Sequence, residues 1–125
     1  MLKVLLVEDN LTYRQAFKES LSQHIPRLFI EEAENSEEAL KKIQESPPHL
    51  IFMDIRLPGV SGLHLTQKIK ADFLEIHVAI LTGYDLPEYR EAALQCGADR
   101  FFVKSSLLWD EVVAFAQTIP LEGKF

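Results

Sequence analysis

Cysteine is almost absent: Cys96 is the only one in 125 residues. An internal disulfide and a cysteine-built metal cage are therefore excluded, and this usage suits a reducing compartment. Basic runs are absent as well. Lysine and arginine number 13 against 19 acidic residues, for a formal net charge of −6 and a pI near 5.2. Such a chain has no electrostatic footprint for binding nucleic acid by itself. No apolar run approaches the ~20 residues a membrane-spanning helix needs. The apolar Leu2–Val7 stretch turns acidic at Glu8 and carries no signal-type cleavage site. The chain is therefore expected to be cytoplasmic and to have no membrane partner. Repeats, low-complexity tracts and internal linkers are missing too. What remains is 47% hydrophobic and 26% charged, over a length that suits one domain with a real core.

That remainder alternates. Short apolar runs predict strands over Leu2–Val7, Leu28–Ala33, Leu50–Met53, Val78–Leu81 and Phe101–Val103. Segments of helical period predict helices over Leu11–Gln23, Ser36–Glu45, Gly62–Ala71, Pro87–Gln95 and Leu107–Thr118. Ser36 reads as an N-cap, Pro47-Pro48 as a helix stop, Pro58-Gly59 as a turn and Gly97 as a C-terminal glycine. Five β–α units in a row predict an α/β fold, a five-stranded parallel sheet wound on both faces. The ligand crevice of such a sheet lies at the carboxyl ends of its strands. Those ends carry Glu8 and Asp9, Asp54, Thr82 with Gly83, and Lys104.

Taken singly, each of these has an ordinary reading: a solvated acid, a strand-end threonine, a surface lysine. As a set at one sheet edge they describe a chemistry. Three carboxylates in one cleft raise one another's pKa, and a hard divalent cation such as Mg²⁺ relieves the conflict while keeping several waters. Three carboxylates, one Mg²⁺ and Lys104 leave a site of zero formal charge. An incoming phosphoryl group then finds cations, a threonine hydroxyl and a carboxylate nucleophile in Asp54.

Four segments in order carry a resemblance: Val-Leu-Leu-Val-Glu-Asp-Asn up to Asn10, Phe-Met-Asp-Ile-Arg-Leu-Pro-Gly-Val-Ser-Gly over 52–62, Ile-Leu-Thr-Gly over 80–83, and Gly-Ala-Asp-Arg-Phe-Phe-Val-Lys over 97–104. With them the chain resembles the response-regulator receiver domains of two-component signalling, from about Lys3 to Thr118. The resemblance implies the (βα)5 flavodoxin-like arrangement with strand order 2-1-3-4-5. It implies that Asp54 is phosphorylated, that Asp9 binds Mg²⁺ directly and Glu8 through a water, and that the Arg56 backbone carbonyl is a further ligand. Lys104 would pair with Asp54 and then with the phosphoryl group, Thr82 would donate its hydroxyl to it, and Phe101 would be the aromatic switch. Arg56 and Tyr84 would border the phosphoryl group and gate water.

The implied donor is a sensor histidine kinase, a phosphotransfer protein or a small acyl phosphate. The implied output is a changed surface over the fourth helix, fifth strand and fifth helix, with homodimerisation on phosphorylation among its uses. Lys104-Ser105-Ser106 resembles the NarL/FixJ class, whose receivers precede a DNA-binding output domain. Residues 1–119 are thus expected to form the receiver, and 120–125 a tail or the start of a linker. A stand-alone receiver working by protein contact or phosphorelay is the alternative. A turnover enzyme is not expected. A haloacid dehalogenase-type phosphatase needs an acid two residues after the nucleophile, where Arg56 stands. A flavodoxin-like binding module needs a phosphate loop where Glu8-Asp9 stands. The histidines at 24, 49, 64 and 77 have no ligand spacing, and Trp109 and Phe115 read as packing residues or part of an interface.

Overall fold

Strand β1 (Leu2–Val7) shows how this sheet is made. Val4 and Leu6 point to one face, Leu5 and Val7 to the other, and all four are buried. A strand apolar on both faces belongs in the middle of a covered parallel sheet. The computed structural model describes residues 1–121. In chain order, β1 is followed by α1 (Leu11–His24), β2 (Leu28–Ala33), α2 (Ser36–Glu45), β3 (Leu50–Met53), α3 (Gly62–Asp72), β4 (His77–Thr82), α4 (Pro87–Gln95), β5 (Arg100–Val103), a 3-10 turn (Lys104–Ser106) and α5 (Trp109–Gln117). The five strands are parallel in the order β2-β1-β3-β4-β5, as the fold expectation has it.

Two cores result, one on each face. Phe17 and Leu21 of α1 and Val112, Phe115 and Ala116 of α5 pack on Val4, Leu6 and Phe52. Ala39 and Ile43 of α2, Leu65 and Ile69 of α3 and Ala93 of α4 pack on Leu5, Val7, Ile51 and Met53. Among the described residues no helix is long and apolar enough to cross a membrane.

The structure corrects several boundaries. The N-cap of α2 is Asn35, not Ser36: the Asn35 side chain accepts the Glu38 N–H at 2.7 Å. The Ser36 hydroxyl is engaged elsewhere, accepting the Val60 N–H at 2.9 Å and so tying α2 to the loop after β3. α5 begins at Trp109 rather than Leu107, because the chain leaves β5 through the 3-10 turn. Strands β4 and β5 run wider than the apolar pattern, taking in His77, Thr82 and Arg100. No cis peptide bond occurs among the described residues, so Lys104–Ser105 is trans. Gly97 closes α4 as expected, with φ +93°, its N–H on the Leu94 carbonyl and the Ala98 N–H on that of Ala93. Ile119 is still buried core. Residues 122–125 of the expected tail lie outside the described residues.

Candidate functional site

The parallel sheet brings all five strand-end residues to one edge. Carboxylate oxygens of Glu8, Asp9 and Asp54 lie within 4.8 Å of one another. Lys104, released into the 3-10 turn after β5, places its Nζ 2.6 Å from Glu8 Oε1 and 3.4 Å from Asp54 Oδ2. The lysine thus meets Asp54, its expected partner, and lies closer still to Glu8. Asp54 Oδ1 accepts the Ile55 N–H at 2.8 Å. Glu8, Asp54 and Thr82 are buried, while Asp9 is exposed at the mouth.

The electrostatics follow from this packing. Burial pushes the Glu8 carboxyl above its ordinary range, opposed by hydrogen bonds from Lys104 and from the Asn10 N–H, and the Asp54 charge adds to the push. The Tyr13 ring lies 4.4 Å from Lys104 Nζ. Its hydroxyl is pushed up to about 12 by burial and by the charges of Glu8 and Asp54, so it stays neutral at physiological pH. Three carboxylates facing one ammonium, with only oxygen donors, fit a hard divalent cation that keeps part of its water shell.

Gly62 supplies the floor. A Cβ there would lie 1.8 Å from the Asp54 carbonyl oxygen, so only glycine lets α3 begin this close to the end of β3. Its N–H donates to the Ile55 carbonyl at 2.8 Å.

Beyond Asp54, the Arg56 guanidinium lies 4.1 Å from the centre of the Tyr84 ring and donates to the Tyr89 hydroxyl at 3.4 Å. The two tyrosine rings meet edge to face at 6.1 Å. The Thr82 hydroxyl oxygen accepts the Tyr84 N–H at 3.3 Å. Phe101 is half-buried under the Arg90 guanidinium, 4.8 Å from its ring centre, and Arg90 also pairs with Asp85 at 2.9 Å.

Four residues escape a reading of the sequence. Asn10 caps α1, accepting the Tyr13 N–H, and an asparagine just before a helical run is a signal that could have found it. Tyr13, Arg14 and Tyr89 reach the site across element boundaries, and no sequence spacing marks them. Arg14 donates to the Glu8 carbonyl oxygen at 2.6 Å and to Glu32 at 2.8 Å.

Comparison with known proteins bears on what this edge is for. A family model described as the response regulator receiver domain matches residues 4–111. The chain is 31% identical over 114 residues to the response regulator GacA of Pseudomonas syringae, an alignment covering 91% of this chain and 53% of that protein. The chain thus spans about half the length of the curated relatives it matches. Among solved structures it is similar to a DNA-binding response regulator of the LuxR family from Staphylococcus aureus, with TM-score 0.85 and 27% identity over 94% of this chain and 98% of that one. It is also similar to the response regulator TrrA of Thermotoga maritima, solved in complex with Mg²⁺ and a beryllium fluoride. There the TM-score is 0.82 and the identity 33%, over 94% and 98% of the two chains.

Proposed function

The chain belongs to the response-regulator receiver domain family, and on that premise we propose that Asp54 accepts a phosphoryl group in a Mg²⁺-dependent reaction. The observation that carries this reading is the grouping of Asp54 with Glu8, Asp9 and Lys104 at one sheet edge. A carboxylate oxygen of Asp54 attacks phosphorus. The bond from phosphorus to the donor breaks, and the leaving group departs with its electron pair. Asp9, Asp54 and the Arg56 backbone carbonyl would hold Mg²⁺ directly, and Glu8 through a water. When bound, Mg²⁺ would neutralise the acidic cluster and the charge on the incoming phosphoryl oxygens. Lys104 then exchanges Glu8 for a phosphoryl oxygen, and the Thr82 hydroxyl donates its proton in a hydrogen bond to another.

The donor would be a sensor histidine kinase, a phosphotransfer protein or a small acyl phosphate. The movement of Thr82 and Phe101 would alter the surface of α4, β5 and α5. That surface would act on a DNA-binding output domain or mediate homodimerisation. The relatives' greater length and the LuxR-family description of one neighbour support this output. In this reading residues 1–119 are the receiver unit, working in the cytoplasm without binding nucleic acid itself. It promotes its own phosphorylation and slow dephosphorylation rather than turning over a substrate.

Intact mass before and after incubation with acetyl phosphate and Mg²⁺ tests the acceptor. Wild type is expected to gain one phosphoryl group only when Mg²⁺ is present, and Asp54→Asn none. Equal labelling of Asp54→Asn would sink the assignment.

A further inference from the structure

Among the described residues Arg14 is the one buried cation, and the chemistry above does not use it. By charge alone it is out of place, since a guanidinium beside a divalent-cation site opposes binding. Its charge is met on the far side. Nε donates to Glu32 Oε1 at 2.8 Å, and Lys18 with Arg14 holds the Glu32 carboxyl below its ordinary range. A paired, desolvated charge of this kind contributes little net stability. The guanidinium's other bond is the informative one: Nη1 donates to the Glu8 carbonyl oxygen at 2.6 Å.

That bond completes the hold on Glu8. Its N–H donates to the Ala33 carbonyl at 3.0 Å, its Oε2 accepts the Asn10 N–H at 3.0 Å, and its Oε1 takes Lys104. The Glu8–Asp9 peptide is trans, so its C=O and N–H point in opposite directions. Anchoring the carbonyl on Arg14 therefore sets the peptide plane from which Asp9 departs. Asp9 is exposed and takes its placement from that backbone.

We propose that Arg14 is a positioning residue: it fixes the Glu8–Asp9 peptide on β2 and α1, so that the acidic pair is preset to receive a divalent cation. Glu32 serves this role indirectly, by orienting the guanidinium. The inference rests on the metal reading above, and its test separates the two.

Mg²⁺ is titrated by NMR, with no phosphoryl donor present, into wild type, Arg14→Lys, Arg14→Met and Glu32→Gln. Arg14→Lys keeps the charge, but its ammonium is a point charge on a flexible stem and lacks the rigid, planar pair of donors with which the guanidinium spans the Glu8 carbonyl and Glu32. Arg14→Lys and Arg14→Met are expected to weaken Mg²⁺ binding about tenfold or more, the usual cost of losing an outer-shell support. In metal-free protein the amides of residues 8–10 exchange faster in both. At saturating Mg²⁺ the acetyl phosphate labelling rate returns to near that of wild type. Glu32→Gln retains an acceptor for Nε and is expected to bind within about threefold of wild type. Wild-type affinity in Arg14→Lys overturns the proposal, and so does a loss in Glu32→Gln as large as in Arg14→Met. If Arg14→Met does not fold, Arg14→Lys decides alone. No Mg²⁺ binding by wild type would instead remove the metal reading itself, and with it the role of Arg14.

Discussion

Glu8 and Asp9 are neighbours in sequence with opposite surroundings, one buried and one exposed, and on the proposed function that difference would set what each does for a metal. Glu8 is buried, and its carboxyl lies above the ordinary 4.5. Its contribution to stability is therefore full below that value and is lost as pH rises through the folded-state value. At neutral pH the metal-free fold carries this cost, and Mg²⁺ is expected to offset it. At ten times the dissociation constant, bound Mg²⁺ adds about 1.4 kcal/mol of stability, read as a rise in melting temperature. Asp9→Ala is expected to abolish that rise and Glu8→Ala only to reduce it; the opposite order would exchange their direct and water-mediated roles. In the proposed function Arg56 and Tyr84 would act on lifetime rather than loading. Stacked on each other and held by Tyr89, they would cover the approach of water in line with the proposed Asp54–phosphorus bond. The phosphorylated state is therefore expected to be long-lived. Arg56→Asn with Tyr84→Glu is expected to lose phosphate about tenfold faster, equivalent to ~1.4 kcal/mol in the barrier. An unchanged decay rate would withdraw the gating role. Glu8, Asp9, Asp54, Thr82 and Lys104 were legible in the sequence because each ends a strand, and parallel topology alone then collects them. Arg14 and Tyr89 were not, because they arrive by side-chain reach from the first turns of α1 and α4.

At the scale of elements, the strands read most clearly, since a central parallel strand is apolar on both faces and little else in a chain looks like Leu-Ile-Phe-Met. The edges of elements read less clearly, for local physical reasons. Leu107 and Leu108 extend the apolar pattern of α5 backward, yet they follow a 3-10 turn that carries Lys104 to the site. Asn35 and Ser36 are both good N-caps, and only the tertiary partner Val60 decides between them. Ion pairs between elements are invisible to pattern, and the β2–α1 pair is one that pH can measure. Lys18, then Arg14, lowers the Glu32 carboxyl below 4.5. A lowered carboxyl contributes stability above the unfolded value, lost as pH falls through the folded one. Glu32→Gln is expected to be less stable than wild type at pH 7, by on the order of 1 kcal/mol given the partial exposure of the pair. The two melting temperatures should converge below pH 4.5. A constant difference across that range would mean that packing, not charge, makes the contact matter.

Across the whole molecule, the sheet divides the chain into a face carrying α1 and α5 and a face carrying α2, α3 and α4, and the proposed signal has to choose between them. Thr82 is buried at the end of β4, and its hydroxyl oxygen accepts the Tyr84 N–H at 3.3 Å. A phosphoryl group on Asp54 would offer the proton of that hydroxyl a charged acceptor. In the proposed switch the resulting movement of Thr82 would make room for Phe101, which packs with the α2, α3 and α4 core under Arg90. The Arg90–Asp85 pair is more than half exposed and cheap to break, and the Arg90–Phe101 contact is covered from one side only by that exposed guanidinium, so α4 and the loop before it are the elements with least to lose by moving. Trp109 belongs to the other face. It stacks on His24 at 4.6 Å and lies 5.2 Å from Phe17, so it reports the α1–α5 contact rather than the α4–β5 surface. Beryllofluoride with Mg²⁺ is therefore expected to change hydrogen exchange over residues 84–103 while leaving residues 11–24 and the Trp109 emission near their resting values. Arg90→Ala, which uncovers Phe101 without touching the site, should move the unliganded protein part of the way toward the same exchange pattern, because it biases a two-state equilibrium that phosphorylation also biases. Unchanged exchange in residues 84–103 on beryllofluoride binding would show that Thr82 and Phe101 do not couple the acceptor to this surface. A change confined to α1 and Trp109 would send the signal to the opposite face.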